Sequence, residues 1–168
     1  WKAYVGNVSG EFALQDASGH SVFDWNVTAT EGELYATRKP TVVDWNNVVC
    51  AGAAQISAEE TALNMSGSSP DSVRNTFNKK SHAGFYAGLT EVESDTCNST
   101  NLYVNSEESS DFAEVLLYDG SSIVYAALLE DSVLGFDGTE YDFQIILPDS
   151  GLEGNQAPET YYFYVELT

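Results

Sequence analysis

The chain has 168 residues, 43% of them hydrophobic and 12% aromatic, which is enough apolar content for one folded domain and excludes a disordered segment. Six Lys and Arg stand against 26 Asp and Glu, a formal charge of -20 that repels nucleic acid and anionic membrane and rules against a nucleic-acid partner. No stretch approaches the ~20 apolar residues needed to span a bilayer, so no membrane insertion is expected of these residues.

The first residue is Trp1 rather than Met, as expected where a signal peptide has been removed. Residues 1–16 read as extended, with Ala3, Val5, Phe12 and Leu14 alternating around Gly6 and Gly10. Residues 17–20 are a turn, and Val22, Phe23, Trp25 and Val27 continue as a second strand that pairs with the first as a hairpin. Residues 32–37 form a third strand, ended by Pro40, and residues 41–45 and 48–50 a fourth apolar segment bent at Asn46 and Asn47.

Residues 57–80 break the strand pattern. Residues 58–63 fit a short helical turn, and residues 69–77 carry helix grammar: Ser69 as N-cap, Pro70 at the first helical position, and Asp71 facing the helix dipole. Strand pattern resumes at residues 84–92 and 102–104. It is clearest where residues 112–118 and 123–130 flank Asp119-Gly120, whose residue types supply the positive φ of a tight hairpin. Tyr141, Phe143, Ile145 and Leu147 alternate next, and the sequence closes on Tyr161-Tyr162-Phe163-Tyr164-Val165-Glu166-Leu167-Thr168. In that last strand Tyr161, Phe163, Val165 and Leu167 are expected on the core face, and the strand itself inside a sheet rather than at its edge. About nine or ten strands at hairpin spacing with one helical crossover predict an all-β, single-domain antiparallel sandwich, with a barrel as the alternative.

Cys50 and Cys97 fit one disulfide in an oxidising compartment, closing a loop of about 47 residues worth roughly 3–4 kcal/mol; two buried free thiols are the alternative. Asn7, Asn26, Asn64 and Asn98 head Asn-X-Ser/Thr acceptors for N-linked glycans, or else are ordinary polar turn residues. Catalysis finds little support. Only His20 and His82 are available as bases, His20 sits in a turn signal, and no Gly-X-Ser-X-Gly, His-Glu-X-X-His or phosphate loop occurs. The acidic pairs Glu59-Glu60 and Glu107-Glu108 read as solvated faces. No cofactor is expected, although Asp131, Asp137, Glu140 and Asp142, and Asp149 with Glu153, are acidic enough for a structural calcium ion. Trp25, Trp45, Tyr162 and Tyr164 are candidates for an aromatic platform that binds surface glycans.

Residues 4–10, Tyr-Val-Gly-Asn-Val-Ser-Gly, and residues 160–167, Thr-Tyr-Tyr-Phe-Tyr-Val-Glu-Leu, resemble stretches of secreted archaeal surface proteins. In architecture such chains are similar to subunits of archaeal bundling pili and bacterial TasA-type fibres. That resemblance covers the composition and the two ends. It implies a jelly-roll-like sandwich polymerised by donor-strand insertion, and it supplies no catalytic residue. The long apolar N-terminal helix of type IV pilins and archaellins is not present in these residues. The expectation is therefore a non-enzymatic, N-glycosylated, disulfide-bonded extracellular subunit whose partner is itself. Residues 1–16 would be the intersubunit strand, and a carbohydrate-binding adhesin module is the alternative.

Overall fold

The computed structural model describes residues 1–15, 21–28, 31–151 and 158–168, and for residues 9–15 and 21–28 the backbone only. In chain order the strands are β1 (Lys2–Gly6), β2 (Ser9–Gln15), β3 (Ser21–Thr28) and β4 (Gly32–Thr37), then a 3-10 turn at Trp45–Asn47 and β5 (Val49–Cys50). Helices α1 (Ala53–Ala62) and α2 (Val73–Thr76) follow. The remainder is β6 (Phe85–Ala87), β7 (Thr90–Val92), β8 (Ser99–Val104), β9 (Glu107–Tyr118), β10 (Ile123–Leu128), β11 (Val133–Leu134), β12 (Glu140–Tyr141), β13 (Phe143–Leu147) and β14 (Tyr162–Leu167). The fold is all-β and every ladder is antiparallel.

A central sheet runs β14-β4-β10-β9, and the far edge of β9 carries both β5 and β8. β9 and β10 are the hairpin expected around Asp119-Gly120, with Gly120 at φ 88°. The Asp119 carboxylate anchors that turn by accepting from the backbone N–H groups of Ser121 and Ser122 at 3.0 and 2.9 Å. The two central strands bury both faces, so apolar residues run consecutively: Ile123 to Ala127 on β10 and Val115 to Leu117 on β9 are all buried.

One face of the sheet presents Leu116, Tyr125, Ala127 and Leu34 to α1, α2 and β13, which contribute Ile56, Leu63, Val73, Phe77, Ile145 and Leu147. The other face presents Val115, Leu117, Val124, Ala126 and Tyr35 to the β6–β7 hairpin and the 3-10 turn. The two clusters lie on opposite sides of one sheet because alternate residues of β9 and β10 enter alternate layers. β13 is held over β9 by Glu114, whose fully buried carboxyl accepts from the Ile146 N–H at 2.9 Å; burial pushes that carboxyl well above the ordinary range.

Several expectations change. β2 and β3 form the expected hairpin, whose turn lies outside the described residues, but β1 separates from β2 at Asn7 and Val8 and pairs with β13. The helix expected from Ser69 begins instead after an N-cap at Ser72, because Ser69 Oγ donates to the Asp71 carboxylate at 2.6 Å and that turn stands outside the helix. The helical turn expected at residues 58–63 is the end of α1, which starts five residues earlier. β14 is an edge strand rather than an interior one. Of the four residues expected on the core face, Tyr161 packs on the core with its ring 6.2 Å from Tyr125, whereas Phe163, Val165 and Leu167 are 45, 50 and 36% exposed, Phe163 meeting Tyr4 edge-on at 5.8 Å. The covered face of β14 is the opposite one, where Tyr164 meets Trp45.

Candidate functional site

Two regions emerge from this architecture: the β1–β13 ladder, and the face where β14 meets β4.

β1 is held by five registered pairs, from Lys2 opposite Leu147 to Gly6 opposite Phe143. Its side chains contribute little to the core, since Lys2, Ala3 and Tyr4 are exposed and Val5 is half-buried. Trp1 is the anchor: its indole packs on Phe77 at 5.9 Å, and its Nε1–H donates to the Asp71 carbonyl at 2.7 Å. Lys2 pairs with Asp149 at 2.8 Å in solvent, an interaction of small worth. The strand expected to join subunits is thus paired within its own chain, in a slot made by β13.

On β14 the register places Tyr164 opposite Tyr35 and Glu166 opposite Glu33. Gly32 makes this close approach possible. It sits at φ 141°, and a Cβ there would lie 2.1 Å from the Glu166 carbonyl oxygen. Tyr35 Oη donates to Glu166 Oε2 at 2.9 Å, with Glu33 Oε2 at 3.5 Å and the Tyr86 carbonyl at 3.2 Å also within reach. Gly88, at φ 62° in the β6–β7 turn, donates its N–H to the same Glu166 oxygen at 3.0 Å and packs against Trp45. Trp45, Tyr35, Tyr164, Glu166 and Gly88 line a cleft of about 240 Å³. Burial pushes Glu33 up to about 7, with the facing Glu166 adding to the effect; it also raises the Tyr35 hydroxyl, to which both carboxylates contribute.

The remaining sequence candidates fall as follows. Cys50 and Cys97 form the disulfide, their Cα atoms 5.0 Å apart. Asn7 and Asn64 are exposed, whereas Asn98 is half-buried, donates Nδ2–H to the Ala51 carbonyl at 3.2 Å, and is followed by buried Ser99 and Thr100. The Asn26 side chain, like that of Trp25, is outside the described residues, as are His20 and Glu153. His82 is buried; its Nε2 accepts from the Cys97 N–H at 3.1 Å and its Nδ1 lies 2.8 Å from the Ala83 carbonyl, so both nitrogens serve the backbone. Asp142 accepts from the N–H groups of Val8 and Ser132, and Asp137 from Thr139 N–H and Tyr141 Oη. Among the described residues no group of three or more His, Cys, Asp and Glu is gathered to hold a metal ion, and no helix is long and apolar enough to cross a membrane.

Glu59 and Glu60 are not solvated. Glu59 receives a two-pronged contact from Arg38 Nε and Nη2 at 3.0 and 2.8 Å, and Glu60 accepts from Arg74 Nε and Nη2 at 2.9 and 2.5 Å. Burial disfavours ionisation of Glu60, but Arg74 outweighs it and holds the carboxyl below its usual range. Glu107 and Glu108 are exposed, with Lys79 paired to Glu108. The Glu33–Tyr35–Glu166 cluster went unseen in the sequence, since only the β4–β14 register brings its members together.

Comparison with known proteins finds no matching family model, no matching curated protein and no matching solved structure.

Proposed function

We propose that this chain is a non-enzymatic structural subunit of an extracellular surface assembly, in which β1 leaves its own β13 and pairs with the β13 of a neighbouring copy. The observation that supports this reading is the construction of β1: a short ladder strand joined through Asn7 and Val8, with mostly exposed side chains, preceded by an aromatic contact from Trp1 to the buried Phe77 and touching β14 through Tyr4. Exchange remakes the same ladder between chains, so it changes little in enthalpy and is driven by concentration. A head-to-tail exchange does not close and gives a filament. The disulfide fits an oxidising compartment, the exposed Asn7 and Asn64 fit N-linked glycans, and the resemblance of the two ends to secreted surface proteins points the same way.

The test is to refold the purified chain at high concentration and image it by negative-stain electron microscopy, beside a chain lacking residues 1–6. The reading expects filaments from the intact chain only, and 1:1 binding by the shortened chain of a synthetic peptide carrying residues 1–8, abolished by Tyr4→Pro. Monomers throughout, with no peptide bound, would overturn it.

The Trp45–Tyr164 cleft favours a second reading, a carbohydrate-binding module, because it sets aromatic faces beside the Glu166 carboxylate. Tyr164→Ala abolishing binding on a glycan array would support that role, and an array without a hit would remove it.

A further inference from the structure

On the face between β4 and β14 acceptors outnumber donors. The Tyr35 hydroxyl is a single donor, yet three acceptors surround it: Glu166 Oε2, the Tyr86 carbonyl and Glu33 Oε2. At 2.9 Å it serves Glu166, which also receives the Gly88 N–H. Glu33 is 5% exposed and stands opposite Glu166 in the ladder, so two carboxylates share one side of a sheet with no cation between them. The other groups facing Glu33 do not compensate. It lines a cleft of about 400 Å³ with Glu31 and Glu130, alongside Gly84, Phe85 and Tyr86 from around β6. Glu130 is itself raised by burial and by Asp111 nearby. His82 lies behind Phe85 with both nitrogens committed to the backbone. Of the six Lys and Arg, Lys2, Arg38, Lys39, Arg74 and Lys79 are paired to carboxylates elsewhere, and Lys80 is exposed to solvent.

We propose that the Glu33–Tyr35–Glu166 cluster is a proton-operated latch on the C-terminal strand: a proton on Glu33 holds β14 against β4, and its loss at higher pH releases the strand. With that proton Glu33 becomes a second donor, placed to serve Tyr35 Oη at 3.5 Å while Tyr35 serves Glu166. Without it, a buried anion at Glu33 faces the half-buried carboxylate of Glu166 across adjacent strands. The latch stands whether or not the chain polymerises.

The sign follows from linkage. The closed strand binds the Glu33 proton more tightly than the open one, so the closed state is favoured in full below the ordinary carboxylate range and loses ground as pH rises towards about 7. Between pH 5 and pH 8 the open fraction of β14 should rise roughly 70-fold if the whole shift is expressed.

The test is amide hydrogen exchange on the full chain, with β14 protection factors corrected for intrinsic exchange at both pH values. Wild type should lose protection in β14 by tens of fold from pH 5 to pH 8, while Glu33→Gln, a permanently neutral donor, should keep its protection at both. Glu130→Gln should behave as wild type. Protection in wild type that changes less than about threefold, or a Glu33→Gln chain that shows the wild-type loss, overturns the latch. If Glu33→Gln does not fold, the side-chain carboxyl carbon of Glu33 is titrated by NMR in the wild-type chain: a midpoint near neutrality supports the latch, and one in the ordinary carboxylate range overturns it.

Discussion

Replacing Cys50 and Cys97 together by Ala removes the one covalent crosslink among the described residues and should act almost wholly on the unfolded chain. In the folded chain the same junction is held independently. The Leu116 carbonyl accepts from Ala51 N–H at 3.0 Å, the Leu116 N–H donates to the Asn98 carbonyl at 2.9 Å, and the Asn98 amide reaches the Ala51 carbonyl. The bridge closes a loop with a sequence separation of 47, for which loop-closure entropy gives roughly 14 cal/mol/K, or about 4 kcal/mol at 25 °C. A domain of this size has a total stability of about 5–15 kcal/mol, so the variant should remain folded but with much of its margin gone. Urea denaturation followed by Trp fluorescence would give the loss, with a larger slope on denaturant because the uncrosslinked chain exposes more surface. A loss below about 1 kcal/mol at unchanged slope would refute the entropic account. An unfolded variant would show that the bridge builds the junction rather than merely fastening it.

Asp119→Ala should cost about 3 kcal/mol in thermal or urea unfolding, since it strands Lys39, whose Nζ lies 2.6 Å from a carboxylate that is itself buried. Burial alone would raise Asp119, but Lys39 and the donors of Ser121 and Ser122 hold it well below the usual carboxylate range; the wild type should therefore lose this contribution as pH falls through the acid limb, and the variant should have a shallower limb. Phe77→Ala should cost about 3–5 kcal/mol, because Phe77 is buried between Trp1 and Tyr125, at 5.9 Å from each. The same change should free β1, read as faster exchange at residues 2–6 than in the rest of the sheet. Gly32→Ala should loosen β14 by at least about 2 kcal/mol of local stability, measured by exchange of the β4 and β14 amides, because its Cβ meets the Glu166 carbonyl.

Local chemistry made some of this fold readable and left the rest hidden. The β9–β10 hairpin is legible because its turn residues and both apolar runs lie within twenty residues of one another. The Cys50–Cys97 bridge is legible because two cysteines admit one pairing. The place of β14 is not, because an aromatic run has the same local grammar at an edge as in the middle of a sheet, and what decides is which strands the fold brings alongside it. Nor is the burial of Glu59 and Glu60, whose sequence suggests a wet helix face; their partners Arg38 and Arg74 lie 21 and 14 positions away and meet them only through the fold. Glu33 and Glu166 are the extreme instance, joined by a register that no local pattern encodes. α1 begins earlier than its apolar residues suggest because Ala53, Ala54 and Gln55 favour helix without marking a face.

The two ends of the central sheet are unlike, and this gives the molecule a polarity. Beyond β9 the edge is divided between β5 and β8, fastened end to end by the disulfide and crossed by the Lys79–Ser99 bridge, so it offers an incoming strand no continuous row of partners. β14 offers a row of six residues. A sheet that is blunted at one end and, among the described residues, unpaired at the other cannot grow by repeated addition of identical copies through these edges. Two β14 edges can meet only about a two-fold axis, which ends in a closed pair. Unlimited growth then needs a different joint from the pairing joint, and a chain with both could cross-link filaments sideways while extending them lengthwise.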